Sequence, residues 1–528
     1  MAAATLTFHE TWRPRANPWV IAVTVTLATF MEALDSSIVN VAMPHIAGTL
    51  SASRDEATWV LTSYLVANAV VLPISGWIAN RIGRKRFYMS CVFCFTLASL
   101  LCGLAPTLGA LVFFRVVQGL AGGGLQPSEQ AILADTFPPQ KRSMAFAVYG
   151  MAVVMAPALG PTVGGWIVDN NSWRWLFFLN IPVGIISLFL TQRLVEDPPY
   201  LAAKRKKKEG IDYWGLGILV IFIATLQMML DKGQEDDWFS SRFITTAAIL
   251  AAISFALFLW RELSIEHPIV DLRLFKRRNL AITQFVMFMV GASLYSTTVL
   301  IPQYLQEVMG YSARQAGMAV STGGLVLMVL FPIAGFLAPK FDPRLLVAIG
   351  FVITTWGLWR MTGINQQVSF GLAVSWRAGI ALGLPLLFIP INTLSYAGVP
   401  QEKNNEVSGL TSLSRNLGGS VGISFVTTLL ARFSQRHQAF LVQHATQGNA
   451  PYDQMRGGLT GAWTQLGHAH PDAIYRAGAQ IYGMAQSQAR TLAYVDVIWI
   501  LVALTALLIP LPFLMNRPKK GAKVEMAH

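Results

Sequence analysis

Residues 18–45 read PWVIAVTVTLATFMEALDSSIVNVAMPH, a long apolar run that contains two acidic side chains, Glu32 and Asp35. A helix rises 1.5 Å per residue, so about 20 residues cross a hydrocarbon core about 30 Å thick. Comparable runs recur along the chain near residues 58–80, 87–105, 108–133, 143–168, 174–195, 213–231, 243–261, 280–305, 313–337, 344–362, 369–397, 406–431 and 492–515. The sequence therefore predicts an all-α polytopic membrane protein with about fourteen spans.

The composition excludes several other classes. Of the 528 residues, 54% are hydrophobic and only 13% are charged, whereas a soluble chain usually has about 25% charged residues. A soluble enzyme, a disordered protein and a disulfide-stapled secreted domain do not fit this composition. The chain has no G-x-x-x-x-G-K-[ST] nucleotide loop, and Cys91 and Cys94 lie in an apolar run without acidic or His partners. We therefore expect neither an enzyme nor a metal or cofactor site.

The net charge of +13 is explained by topology. If the N-terminus is cytoplasmic, roughly 26 Lys and Arg residues fall in inside segments and about 11 outside, as the positive-inside rule requires. We expect both termini in the cytoplasm and no binding of nucleic acid. The basic run Lys204–Lys208 is expected to contact anionic lipid headgroups.

An internal repeat indicates how the spans are organised. Residues 73–79 (PISGWIA) return as residues 332–338 (PIAGFLA), each at the end of a span. We predict a six-helix bundle at 1–195, a basic linker with two inserted helices at 196–279, and a second six-helix bundle at 280–528. Two such halves suit a transporter with a site at the bilayer midplane. The hydrophilic external loop 432–490 is open to two interpretations, a flexible excursion or a short helical hairpin, and either a docking element or a neutral insertion.

Charges within spans are costly and mark function. Glu32 and Asp35 are three residues apart and share a helix face, so proton uptake by one would relieve their repulsion. Arg115, in the fourth span, is a natural partner for Asp35, either as a proton switch or as a permanent structural ion pair. Glu32 is a second proton-coupling candidate or a group solvated by a cavity. Glu129 is a third, or a solvated charge at the end of a span.

Glycines, prolines and amides supply the remaining candidates. A short cytoplasmic turn joins spans two and three and is predicted to brace helix ends, through Gly76, Asn80, Arg81, Gly83 and Arg84. Small residues and prolines in span five predict close packing or a hinge between the halves, at Pro157, Gly160, Pro161, Gly164 and Gly165. Candidate substrate-cavity residues are Asn40, Tyr64, Asn68, Gln118, Gln284 and Tyr295.

These motifs resemble those of the major facilitator superfamily, and within it the fourteen-span drug:proton antiporters. The stretches that carry the resemblance are residues 34–46 (LDSSIVNVAMPHI), 76–86 (GWIANRIGRKR), 115–119 (RVVQG) and 150–165 (GMAVVMAPALGPTVGG). One departure is Asn80, where the family motif usually has Asp. A latch built on an Asp–Arg pair at this position is therefore in doubt or is formed by other groups.

The resemblance implies a secondary transporter of the bacterial inner membrane that exports lipophilic or amphiphilic drug-like compounds in exchange for protons, without a cofactor. It assigns proton coupling to Asp35, with Arg115 as its modulator. The long external loop resembles tripartite pumps and implies a periplasmic adaptor and an outer-membrane channel as partners. The alternatives are a dedicated exporter of one metabolite or siderophore, an uptake symporter, and a non-transporting membrane scaffold or sensor.

Overall fold

The computed structural model describes residues 14–199, 201, 212–266 and 268–516, and all regular secondary structure in these ranges is helical. The α-helices are α1 Pro18–Thr49, α2 Arg54–Ile82, α3 Arg84–Leu104, α4 Leu108–Gly122, α5 Leu125–Thr136, α6 Pro139–Asn170, α7 Trp175–Phe178, α8 Asn180–Leu194, α9 Tyr213–Lys232, α10 Arg242–Ser264, α11 Arg278–Glu307, α12 Ala313–Leu337, α13 Pro343–Met361, α14 Phe370–Ser395, α15 Asn404–His444, α16 Ala450–Gln465 and α17 His470–Leu507. Short 3₁₀ turns occupy Trp238–Ser240, Leu272–Lys276, Gln401–Lys403 and Leu511–Leu514. The described residues contain 14 segments long and apolar enough to cross a membrane, which confirms the predicted fold class.

The fourth span is interrupted at its glycines. Helix α4 ends at Gly122 and α5 begins at Leu125, so Gly123 and Gly124 form the junction. A Cβ atom on Gly119 would come within 2.9 Å of Ala67 Cβ, and one on Gly123 within 2.9 Å of Val71 Cβ. The glycines therefore let the fourth span lie directly against α2.

The predicted loop 432–490 is largely helical. Helix α15 continues to His444, α16 spans Ala450–Gln465, and α17 begins at His470. Helices α15 and α17 therefore extend beyond the predicted end of span thirteen at 431 and the predicted start of span fourteen at 492. The segment has no continuous apolar stripe, but it is rich in Ala and Gln, which have high helix propensity. Ala473 and Ala477 are buried, so packing between helices stabilises this segment. Of the two interpretations, the structure has the helical hairpin.

Two long seams join the first six spans to the last six. Along one seam, α6 packs against α12, with Pro161 beside Gly317 and Ala158 beside Gly324. Along the other, α2 packs against α15, where a Cβ on Gly76 would lie 2.8 Å from the carbonyl carbon of Asn405. Glycine thus permits close backbone contact at both seams.

The inserted helix α9 lies at the seam between α2 and α15. Gln227 Nε2 donates to Ser420 Oγ at 2.8 Å, and Trp238 Nε1, just beyond α9, donates to Thr428 Oγ1 at 3.1 Å. On the other side, Lys232 Nζ contacts Thr58 Oγ1. The insert therefore contacts both groups of six spans.

The bundle has two chemically different ends. We call the end that holds Gly83, Pro138, Asp342 and Asn404 the basic end, because the predicted cytoplasmic turns meet there. We call the opposite end, from which α16 projects, the hairpin end. The predicted lipid-binding run Lys204–Lys208 lies outside the described residues.

Candidate functional site

Asp35 and Arg115 form a buried ion pair between α1 and α4. Arg115 Nη1 lies 2.6 Å from Asp35 Oδ2, and the two side chains are 0% and 1% exposed. The other carboxylate oxygen of Asp35 accepts from Gln118 Nε2 at 3.1 Å and from Asn180 Nδ2 at 2.7 Å. The structure thus brings the predicted pair into direct contact and surrounds the carboxylate with amide donors.

The guanidinium of Arg115 has further contacts. Its Nε donates to the backbone oxygen of Val60 at 3.1 Å, and its Cζ lies 4.0 Å from the ring centre of Tyr64. A buried charge is costly unless it is paired and hydrogen-bonded. Arg115 therefore depends on the negative charge of Asp35, so a change in that charge alters the balance of forces between α1, α2 and α4.

Glu32 is buried rather than solvated. Its Oε1 accepts from Tyr64 Oη at 3.0 Å and Asn68 Nδ2 at 3.1 Å, and its Oε2 accepts from Gln126 Nε2 at 2.6 Å. The side chain is 5% exposed. The interpretation of Glu32 as a water-solvated cavity group is therefore wrong, while its predicted role in coupling stays a prediction.

Glu129 is also fully buried. Thr26 Oγ1 donates to its Oε1 at 2.6 Å, and in the described part of the chain its Oε2 has no hydrogen-bond partner. The interpretation of Glu129 as a solvated charge at the end of a span is wrong, because α1 covers its side chain. The position of Glu129 in the sequence does not indicate this contact. Its role in coupling also stays a prediction.

A polar chain crosses from the first group of spans to the last. Gln126, which binds Glu32 through its amide nitrogen, accepts from Arg415 Nη2 on α15 through its amide oxygen. Arg415 Nη1 also donates to Tyr149 Oη at 2.7 Å. Gln126 was not among the predicted residues, and Arg415 had only the signal of a charge within an apolar span. These hydrogen bonds connect a buried carboxylate of one half to a buried guanidinium of the other.

At the basic end, amides join the two groups of spans. Asn405 Nδ2 donates to Asn80 Oδ1 at 2.6 Å, and Arg84 Nε donates to Asn405 Oδ1 at 2.7 Å. Arg84 Nη1 forms a 2.5 Å ion pair with Asp135 Oδ2, whose Oδ1 accepts from Asn404 Nδ2 at 2.7 Å. The uncharged Asn80 is thus paired with an amide, and the Asp–Arg pair of this region is formed by Asp135 and Arg84. We call these five residues the basic-end latch.

The other predicted residues of this turn have separate positions. Gly83 alone links α2 to α3 and adopts φ 100°, a backbone conformation that glycine tolerates and other residues rarely adopt. Gly76 packs against the backbone of Asn405. The guanidinium of Arg81 stacks on Trp77 at 5.6 Å. The turn therefore positions the latch by its backbone as well as its charges.

The predicted span-five motif lies between α1 and α12. Ser37 Oγ donates to the backbone oxygen of Pro157 at 3.0 Å, and a Cβ on Gly160 would lie 2.5 Å from Ser37 Cβ. A Cβ on Gly164 would approach Ile38 O to 3.2 Å, whereas one on Gly165 would meet nothing within 4 Å. With Pro161 against α12, four of the five predicted residues are at helix contacts and Gly165 is not.

The predicted cavity residues divide into two groups. Tyr64, Asn68 and Gln118 bind the buried acids, and Gln284 bonds to Thr411 and Ser414 at 3.0 Å each. These four are buried, whereas Asn40 is exposed and Tyr295 is half-buried. Asn180 also belongs to the Asp35 cluster, but the sequence alone does not identify it. The only sign of it in the sequence is an amide within an apolar span.

Comparisons with known proteins relate most of the chain to one family. Residues 25–423 match the family model of the Major Facilitator Superfamily. The chain is 38% identical to the multidrug export protein EmrB of Escherichia coli (strain K12) over 448 residues, which is 84% of this chain and 86% of the relative. It is also 38% identical to the fatty acid resistance protein FarB of Neisseria gonorrhoeae, over 82% of this chain and 85% of the relative.

A solved structure shares the fold. The proton:xylose symporter XylE superposes with a TM-score of 0.56 at 13% identity, covering 91% of this chain and 99% of XylE. The fourteen spans, the two groups of six around buried charges, and the similarity to EmrB over most of both chains lead to one assignment. The chain is a multi-pass membrane transporter of the Major Facilitator Superfamily.

Proposed function

We propose that the protein is a proton-driven multidrug exporter of the bacterial inner membrane, with both termini and the basic end in the cytoplasm. It takes up lipophilic or amphiphilic compounds and releases them at the hairpin end. The printed functions of the relatives, multidrug export and fatty acid resistance, support this substrate class. The observation that carries the proposal is the fully buried Asp35–Arg115 pair.

The pair provides a physical basis for proton coupling. When Asp35 takes up a proton, it loses the negative charge that compensates Arg115, and the guanidinium keeps its charge because arginine does not deprotonate in proteins. Arg115 must then find compensation elsewhere or move toward water. Because Asp35 is on α1 and Arg115 on α4, the proton changes the relative stability of two helix arrangements.

Alternating access follows from the contacts between the halves. In this structure, the basic-end latch and the Gln126–Arg415 contact hold the two groups of spans together. Opening toward the cytoplasm requires these contacts to separate. We propose that protons bound at Asp35 and Glu32 bias this opening and closing, so that proton entry is exchanged for compound exit.

Everted membrane vesicles test the proposal. Asp35→Asn keeps the side-chain shape and removes the charge, so compound-driven proton release should be lost while membrane insertion is retained. Asp55→Asn, a matched change at an exposed position, should leave proton release unchanged. Unaltered compound-driven proton release by Asp35→Asn would contradict the assignment of Asp35.

We propose further that the hairpin formed by the end of α15, α16 and the start of α17 docks a periplasmic adaptor, which connects to an outer-membrane channel. Its large apolar side chains are exposed, with Phe440 at 60%, Leu466 at 72% and Tyr475 at 77%. Such exposure beyond the membrane spans is characteristic of interaction sites. Adaptor capture should fall when these three residues are changed to Ser, and undiminished capture by that variant would exclude the hairpin as the docking element.

A further inference from the structure

Arg377 on α14 is a buried charge without a carboxylate. It is 1% exposed, and its Nη1 and Nη2 donate to Thr297 Oγ1 and Thr298 Oγ1, both at 3.2 Å. Its Nε has no hydrogen-bond partner among the residues that the structure describes. A guanidinium has five N–H donors, and two neutral hydroxyls satisfy two of them. The positive charge itself is therefore uncompensated by the described residues around it.

The position of Arg377 corresponds to that of Arg115. Arg115 is the eighth residue of α4, and Arg377 is the eighth residue of α14. The eighteenth residue of α1 is Asp35, the partner of Arg115, whereas the eighteenth residue of α11 is Tyr295. The C-terminal half thus keeps the guanidinium of the pair and lacks the acid.

The buried charges of the two halves have opposite balance. Among described residues up to 195, the buried charged side chains are Glu32, Asp35, Arg84, Arg115 and Glu129. Among those from 278 onward, they are Arg377 and Arg415 alone. Arg415 contacts Gln126, which in turn contacts Glu32, so it is linked to an acid of the other half. Arg377 has no such link.

Arg377 is adjacent to the side of α11 that is not fully covered. Thr298, which accepts from Nη2, is half-buried. Tyr295, three residues earlier on the same helix face, is also half-buried, with its ring against Gly419 of α15. On the other side, the Arg377 side chain lies against Gly323, where a Cβ would come within 2.7 Å of Arg377 Cγ. Close packing on Gly323 holds the aliphatic part of the Arg377 side chain in place, and the guanidinium nitrogens of Arg377 point toward Thr298 on α11.

We propose that Arg377 forms an anion subsite that binds the carboxylate head of a transported amphiphile between α11 and α14. A carboxylate matches the forked donors of arginine. Its single negative charge would balance the positive charge of the Arg377 guanidinium. The apolar tail would lie along the partly covered face of α11. This inference rests on the proposed export function and specifies one substrate class for it.

Equilibrium binding to the full-length protein in lipid nanodiscs tests the subsite, with binding to empty nanodiscs subtracted. The probes are dodecanoate and dodecyltrimethylammonium, which have tails of the same length and heads of opposite charge. Arg377→Gln should weaken dodecanoate binding by about tenfold or more, because it removes a charge-assisted contact, and should leave dodecyltrimethylammonium binding unchanged. Arg377→Lys keeps the charge but not the fork, so its loss should be smaller. Arg360→Gln, at an exposed arginine, is the matched control.

The remaining outcomes are decisive as well. Equal loss of both probes in Arg377→Gln would show a structural role and overturn the proposal. Unchanged dodecanoate binding in both variants would also overturn it. If the wild type binds dodecanoate in nanodiscs of zwitterionic lipid but not in nanodiscs with phosphatidylglycerol, with empty nanodiscs of the same composition subtracted, a lipid headgroup is the occupant and the transported carboxylate is not. Proton-driven export of dodecyltrimethylammonium by wild-type proteoliposomes tests the export function separately, because that probe does not need Arg377.

Discussion

Removing the side chain of Asn405 should loosen the basic end of the transporter. Asn405 receives a hydrogen bond from Arg84 and donates one to Asn80, so Asn405→Ala breaks two contacts between α15 and the first group of spans. Arg84 keeps its ion pair with Asp135, so the helices of the first half should remain in place. The change therefore acts mainly on the closure of the basic end.

The size of the effect follows from the two bonds. A bond between neutral groups contributes about 0.5–1.5 kcal/mol and a bond to a charged group about 1.5–3 kcal/mol. Their loss should destabilise the closed arrangement by about 2–4.5 kcal/mol, which shifts the equilibrium constant between the closed and open arrangements toward the open one roughly 30- to 2,000-fold, at 1.36 kcal/mol per factor of ten. Because the open fraction cannot exceed one, accessibility should rise at least about tenfold when the open state of the wild type is populated to about 5% or less.

A reporter cysteine measures this change. Ser75 on α2 is 1% exposed and lies against α15, where a Cβ on Gly409 would be 3.3 Å from its hydroxyl. In a background without the three native cysteines, Ser75→Cys in everted vesicles should react at least about ten times faster with an impermeant maleimide when Asn405→Ala is present. Asn279→Ala, at a half-buried amide of the same end that bonds to Asn516 within the last group of spans and not across the interface, should not change the rate. Equal rates in all three proteins would refute the latch.

Five further substitutions, one of which is a control, test other contacts. Asn80→Asp should slow labelling of the same reporter, because a charged acceptor strengthens the bond from Asn405. Gly83→Ala should lower the thermal midpoint of the purified protein, with a cost of about 1–3 kcal/mol, because φ 100° and ψ 139° lie in a region that residues other than glycine rarely adopt. Gly160→Leu should prevent stable insertion through overlap with α1, whereas Gly165→Leu, which has open space, should insert normally, as immunoblots of membranes would show. Gln126→Leu should abolish compound-driven proton release while leaving membrane levels unchanged, and normal release would exclude the amide as a coupling element.

The sequence was sufficient for the spans and for the central ion pair, for different physical reasons. Apolar runs of membrane length have few alternative structures, and a charge such as Asp35 or Arg115 within them requires a partner. The sequence does not decide between a flexible loop and a helical hairpin at 432–490, because the helices there are stabilised by packing of small residues, such as Ala473, rather than by an apolar stripe. Gln126 and Asn180 could not be predicted, because an amide becomes part of a site only when the fold places it beside a charge.

The named contacts of this transporter differ systematically in strength. The two buried ion pairs, Asp35–Arg115 and Arg84–Asp135, lie within one half, where the helices move together. The hydrogen bonds described above that cross between the halves through charged or amide side chains each have a neutral group on at least one side, either the amide of Asn80, Asn404, Asn405 or Gln126 or the hydroxyl of Tyr149. Breaking a buried ion pair costs about 3–5 kcal/mol, because it leaves an uncompensated charge, whereas an amide contact costs less and can be replaced by water. A rocking transporter needs rigid halves and a reversible interface, and Asn in place of Asp at position 80 is consistent with that requirement.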